Sequence, residues 1–124
     1  MRYIFFFLFF NALSQNNVCF EITENPNQDI LALQSFTKYI NVLNCIEIYA
    51  ESSISDEKVL HAASITAELL DNDEDGVIDD INVELILSEK KTIMPLFSFE
   101  GSPAEDILFS NFDDLEENYN YCAG

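Results

Sequence analysis

The side chains best suited to chemistry in this chain stand together in one run, Asp71-Asn72-Asp73-Glu74-Asp75-Gly76-Val77-Ile78-Asp79. Six of the ten residues at 71–80 are acidic, and unpaired carboxylates crowded this closely repel one another. A hard divalent cation removes the conflict. Calcium takes about 6 to 8 oxygen ligands, and a short loop supplies them only when carboxylates alternate while the backbone turns sharply. Asp71, Asp73 and Asp75 have that alternation, and Gly76 follows where the turn needs a residue tolerant of positive φ. Val77 would offer its backbone carbonyl and Asp79 a fourth carboxylate, directly or through water. Ile78 is apolar, as expected if its side chain turns into the core. Magnesium fits less well, because it holds to a strict octahedron and keeps its waters.

The other reactive residue types are scattered. His61, the single histidine, would share a helical stripe with Glu57 and Glu68, but Glu68 would lie about 10 Å along the axis from it. It reads as a surface or partly buried structural histidine, with Glu57 as an ordinary helix-surface partner. The chain has no nucleophile motif, no phosphate-binding glycine loop and no Cys-x-x-Cys, and it contains only three glycines. No catalytic residue is expected in it. Of Cys19, Cys45 and Cys122, two would pair in an oxidising compartment. Cys19 with Cys45 closes the shortest loop, which would leave Cys122 for an intermolecular bridge or a partner further downstream. Phe97, Phe99, Phe109 and Phe112 are expected to fill the core, and the acidic cluster at 113–117 to be solvated.

The segments that would position the acidic loop are legible to different degrees. Ser55 can cap a helix over 56–70, with Asp56 and Glu57 in the first turn, where negative charge meets the positive end of the helix dipole. Val59, Ala63, Ala67 and Leu70, flanked by Leu60, would form its apolar stripe. Beyond the loop, 80–91 is rich in Ile, Val, Leu and Glu and closes with Lys90 and Lys91, which suits a second helix. Upstream, Ile30, Leu33, Phe36, Thr37 and Ile40 recur at helical intervals behind Asp29, so a helix is expected there as well. The alternation from Cys45 to Ala50 predicts a strand. A second strand is expected over 92–99, confined by Pro95 to an edge or a bulge. The turn at 100–103 leads to a short helix over 104–109, and 113–121 shows no pattern.

The first residues are of another kind. Met1 and Arg2 precede an apolar run over 3–10, and Ala12 and Ser14 are small residues where a signal peptidase reads. That order predicts a secretory leader at 1–14, cleaved after Ser14. The apolar run falls well short of the ~20 residues that span a bilayer, so no membrane association is expected once the leader is removed. With 23 acidic against 5 basic residues and a formal charge of −18, the chain lacks the basic patch that nucleic acid requires. Cations are its natural partners.

The stretch over 56–91 resembles the EF-hand family: an entering helix, an Asp-x-Asp-x-Asp-Gly loop with an aliphatic residue at its eighth position and an acid at its ninth, and an exiting helix. The resemblance implies a metal ligand set of Asp71, Asp73, Asp75, Val77, Asp79 and, at the twelfth position, Asn82. The family expects a bidentate glutamate there, so Asn82 loses a charge and a contact, and Asp80 or Glu84 stands as a substitute. Affinity should then fall at the weak, extracellular end of about 10⁻⁴ to 10⁻³ M. Thrombospondin type 3 repeats use similar Asp runs, but in arrays with little flanking helix. The stretch with His61-Ala62-Ala63 before the loop is also similar to secreted proteins of uncharacterised function, from which no activity carries over. The expectation is a small, helix-rich α+β domain over 15–124 with a few short strands. It would be a secreted calcium-binding protein whose ion is mainly structural. The alternative is the N-terminal part of a longer secreted enzyme, such as a hydrolase, with its catalytic residues beyond Gly124.

Overall fold

The hairpin at the centre of the fold forms because β-branched and aromatic residues alternate on both sides of a tight turn. β2 (Lys38–Val42) pairs antiparallel with β3 (Ile46–Ala50) along all five residues. Leu43 and Asn44 both take positive φ, 54° and 59°, and the Cys45 N–H donates to the Val42 carbonyl at 3.0 Å. Two left-handed residues match the twist of the flanking strands. The computed structural model describes residues 20–121. The leader at 1–14, its cleavage point, and Cys19 and Cys122 lie outside them.

β1 (Thr23–Glu24), β4 (Lys91–Leu96) and β5 (Tyr119–Tyr121) complete a five-stranded sheet in the order β1-β2-β3-β4-β5. The first two pairings are antiparallel and the last two parallel. Parallel neighbours need crossover connections. From β3 to β4 the chain runs through α1 (Asp56–Leu70) and α2 (Ile81–Glu89), and from β4 to β5 through α3 (Pro103–Ser110). This is the α+β class read from the sequence, with five strands rather than two.

α1 forms where expected: the Ser55 Oγ accepts from the Lys58 N–H, and the i, i+4 stripe Val59, Ala63, Ala67 is buried. It packs with Ile40, Val42, Ile46, Ile48 and Ala50 in one core cluster. A second cluster joins Tyr49 and Ile93 to Leu33 and Phe36 and to Ala104, Leu108 and Leu115. Alternate strand residues therefore feed two cores. Burying a side chain such as Leu108 or Val59, each at 0% exposure, contributes about 1.5–3 kcal/mol. The second core also holds a polar network. The Tyr49 hydroxyl donates to Glu47 Oε1 at 2.7 Å and accepts from Asn27 Nδ2 at 2.8 Å, while Lys91 Nζ lies 3.7 Å from Glu47 Oε2.

Several expectations are corrected. The helix read from Asp29 to Ile40 is only a 3-10 turn at Leu31–Leu33, and Ile40 belongs to β2. The buried Asn25 amide takes the Leu33 and Phe36 carbonyls at 2.8 and 2.9 Å, and the hairpin claims the residues after them. Leu33 and Phe36 are buried, so their apolar spacing served a core without a continuous helix. α2 ends at Glu89, with Lys90 already extended and Lys91 opening β4. Lys90 Nζ instead donates to the Glu116 carbonyl at 2.8 Å. β5 arises in the segment that showed no pattern. Phe99 and Phe109, expected in the core, are 61% and 46% exposed. Cys45 is buried and has no disulfide partner among the described residues; the bridge expected with Cys19 involves a residue outside them and stays an expectation. The strand with Pro95 is not the edge expected, since β4 lies between β3 and β5, but Pro95 itself has no strand on one side. β5 reaches only Ile93 on β4, and the Leu96 carbonyl accepts from Glu51 N–H on the β3 side. The neighbouring Pro95 nitrogen therefore faces the side β5 has left.

Candidate metal centre

The acidic loop is the link between α1 and α2 inside the crossover from β3 to β4. Its start is fixed by α1: Asp71 is the helix C-cap, and its N–H donates to the Ala67 carbonyl at 2.8 Å. Its far end is fixed by Ile78, 6% exposed in the α1 core, and by the Asp79 N–H, which donates to the Leu70 carbonyl at 2.9 Å. The backbone between them turns through Glu74 at φ 58° and Gly76 at φ 85°. Gly76 was legible from the loop pattern; the left-handed Glu74 carried no signal in its residue type.

Asp71 is the hub. It is only 3% exposed, and its carboxylate accepts from the Asp75 N–H at 3.2 Å and the Gly76 N–H at 2.6 Å. Asp75 Oδ1 accepts from the Val77 N–H at 2.9 Å, and Asp79 Oδ2 from the Asn72 N–H at 2.7 Å. These bonds wrap the backbone around the acids. One carboxylate oxygen from each of Asp71, Asp73, Asp75 and Asp79 lies within 4.8 Å of the others, close enough together to hold a metal ion.

The electrostatics favour a cation. The cluster sits at the negative end of the α1 dipole, and the last turn of α1 carries no basic residue. The Asp73 carboxyl hydrogen-bonds that of Asp71; this contact, then desolvation, then the charges of Asp75 and Asp79 push Asp73 up to about 6. Desolvation also raises Asp71, but the Gly76 N–H, the Asp73 carboxyl and the Asp75 N–H outweigh it and hold Asp71 below the usual value. Two neighbouring carboxyls are thus driven apart in acidity because both cannot be charged cheaply at this range.

The remaining sequence candidates are not part of this carboxylate cluster. Val77 is exposed in the loop beside Asp75. Asn82 lies in the first turn of α2 and is exposed, its N–H donating to Asp80 Oδ1 at 2.9 Å. Asp80 is the α2 N-cap, so that oxygen is engaged in capping. Glu84 is half-buried on α2, beside a cavity lined also by Cys45, Gly76 and Ile78. His61 is exposed on α1 and lies outside the acidic cluster. Among the described residues no helix is long and apolar enough to cross a membrane. No protein-family model, curated protein or solved structure matches this chain.

Proposed function

We propose that this chain binds one calcium ion in the loop from Asp71 to Asp79 as a secreted, EF-hand-like protein, and that the ion is mainly structural. The observation that carries the reading is the convergence of four aspartate carboxylates within 4.8 Å at the C-terminus of α1. Asp71, Asp73, Asp75 and Asp79 supply carboxylate oxygens, Val77 its carbonyl, and Asn82 or a water completes the shell. Four acids and a carbonyl suit the large, oxygen-rich shell of calcium better than the strict octahedron of magnesium. The ion ties the end of α1 to the start of α2 and so fixes the crossover between β3 and β4. The secreted location rests on the leader order at 1–14.

Thermal unfolding of the chain lacking residues 1–14, in EDTA and in about 2 mM calcium, tests the reading. At a Kd of about 10⁻⁴ to 10⁻³ M the ion adds about 0.6–2 kcal/mol, an upward shift of several degrees for a domain of this size. The double variant Asp71→Ala, Asp75→Ala should lose that shift, while His61→Ala keeps it. An unchanged melting temperature up to 10 mM calcium, in a chain that melts cooperatively, would refute calcium binding. N-terminal sequencing of protein exported from a eukaryotic cell should begin after Ser14.

A further inference from the structure

A second concave site lies away from the acidic loop, beside the part of β4 that β5 does not cover. Its cavity of about 350 Å³ is lined by Pro95, Leu96, Phe97, Phe99, Tyr121 and the two acids Glu100 and Glu105, with no basic residue in its walls. Phe99 and Tyr121 remain 61% and 42% exposed, so aromatic rings and carboxylates share one opening.

The walls are held in place. Phe97 lies between the buried Phe36, 5.9 Å away centroid to centroid, and Phe109 at 6.2 Å. Tyr121 stands edge-on to Phe109 at 5.3 Å and to Phe112 at 6.3 Å. The turn that carries Phe99 and Glu100 is pinned by Glu51. One of its oxygens accepts from the Ser98 N–H at 2.7 Å and the Ser102 hydroxyl at 2.9 Å, the other from the Ser98 hydroxyl at 3.2 Å. Glu105 is fixed by the Gly101 N–H, which donates to its Oε1. Its own N–H donates to the Ser102 Oγ at 3.3 Å.

We propose that this cavity binds a small quaternary ammonium compound, its trimethylammonium group set against Phe97, Phe99 and Tyr121 and neutralised by Glu100 and Glu105. Aromatic faces attract cations through their quadrupole, and the carboxylates add charge complementarity on a chain that is already strongly acidic. Methylation decides the class. A calcium ion needs about six or more oxygens, which this lining does not offer. A bare ammonium is strongly hydrated and would use the two carboxylates but gain little from the aromatic side of the lining. A trimethylammonium group brings the charge together with an apolar surface.

Titration of the chain lacking residues 1–14 with choline, followed by aromatic proton NMR, tests the proposal. The neutral isostere 3,3-dimethylbutan-1-ol serves as the control, and both run at 150 mM salt with calcium present. Choline should shift resonances of Phe97, Phe99 and Tyr121 saturably, and the alcohol should bind at least about tenfold more weakly. Phe99→Ala, at a position too exposed to threaten folding, and Glu100→Gln should each weaken choline at least about fivefold. Replacing the calcium by EDTA should leave choline binding unchanged, which separates this cavity from the calcium loop. Equal binding of choline and the alcohol, no saturation by 50 mM choline, or binding indifferent to Phe99→Ala would overturn the proposal; the last result is that of diffuse attraction to an acidic surface. Sedimentation with phosphatidylcholine vesicles separates the sources: co-sedimentation assigns the cation to a lipid headgroup, and choline binding without it assigns it to a free ligand.

Discussion

Asp71 shows how one residue serves two ends. Its carboxylate is buried and gathers the Asp75 and Gly76 N–H groups, so it shapes the loop without an ion. Asp71→Ala should therefore weaken the metal-free protein more than Asp73→Ala, which removes an exposed carboxyl; unfolding in EDTA distinguishes the two. Gly76 is a cleaner case. A Cβ there would meet nothing within 4 Å, yet φ is +85°, so Gly76→Ala should cost about 1 kcal/mol through backbone strain alone. That is a drop of about 4–8 °C in melting temperature. In the second core, Tyr49→Phe removes the hydroxyl between Glu47 and Asn27. Leaving a buried acceptor short of a donor should cost about 1–3 kcal/mol in denaturant unfolding. The same network sets an alkaline limit. Burial, then the Glu47 charge, push Tyr39 up to about 12, and burial, then the Glu47 hydrogen bond, push Tyr49 well above the usual value. These phenols stay neutral in the folded chain but ionise near 10 when unfolded. Their stabilisation is complete below pH 10 and is lost as pH rises toward 12, which should appear as cooperative unfolding coincident with tyrosinate absorbance.

Among the elements, caps and pairings divide the work. α1 and α3 are each capped by a serine, Ser55 and Ser102, with acids in the first turn. Ser55→Ala should cost about 1 kcal/mol, read from thermal unfolding. Ser102 does more, since its hydroxyl also donates to Glu51. Glu51→Ala should loosen the turn at 98–102 as well as lower global stability, visible as faster amide exchange of Ser98 and Gly101 than of β3. α2 is the least anchored helix in composition, with Ile81, Val83 and Ile86 facing solvent. Its apolar residues made the helix legible in the sequence, yet most do not enter a core. The spacing of Ile30, Leu33, Phe36 and Ile40 was equally helical, but a hairpin won because β2 satisfies its backbone against β3 along its whole length. A helix there would have left β3 to face the solvent on one edge.

Across the molecule as a whole, charge governs how stability responds to ions. A formal charge of −18 on 124 residues opposes compaction by self-repulsion. With no divalent ion present, raising monovalent salt from about 20 to 200 mM shortens the Debye length from roughly 20 to below 10 Å and should raise the melting temperature. If calcium occupies the loop, the salt effect should shrink, because part of the repulsion is then neutralised locally. The two sites also sit on different connections: the acidic loop within the crossover from β3 to β4, the aromatic cavity around β4, α3 and β5.

Short-range chemistry was readable from the order of residues alone. The Ser55 cap, the α1 stripe, the alternation of Asp71, Asp73 and Asp75, and the obligatory turn at Gly76 all act within a few residues, so their outcome follows along the chain. Contacts between distant segments settled the rest. Whether Ile40 joins a helix or a strand depends on β3; whether Tyr119 to Tyr121 form a strand depends on β4, far earlier in the chain. The aromatic cavity exists only because β5 stops at the level of Ile93 and Glu51 pins a distant turn. No local pattern encodes such meetings, since their free energy comes from backbone pairing and burial between segments that are neighbours only in the folded state.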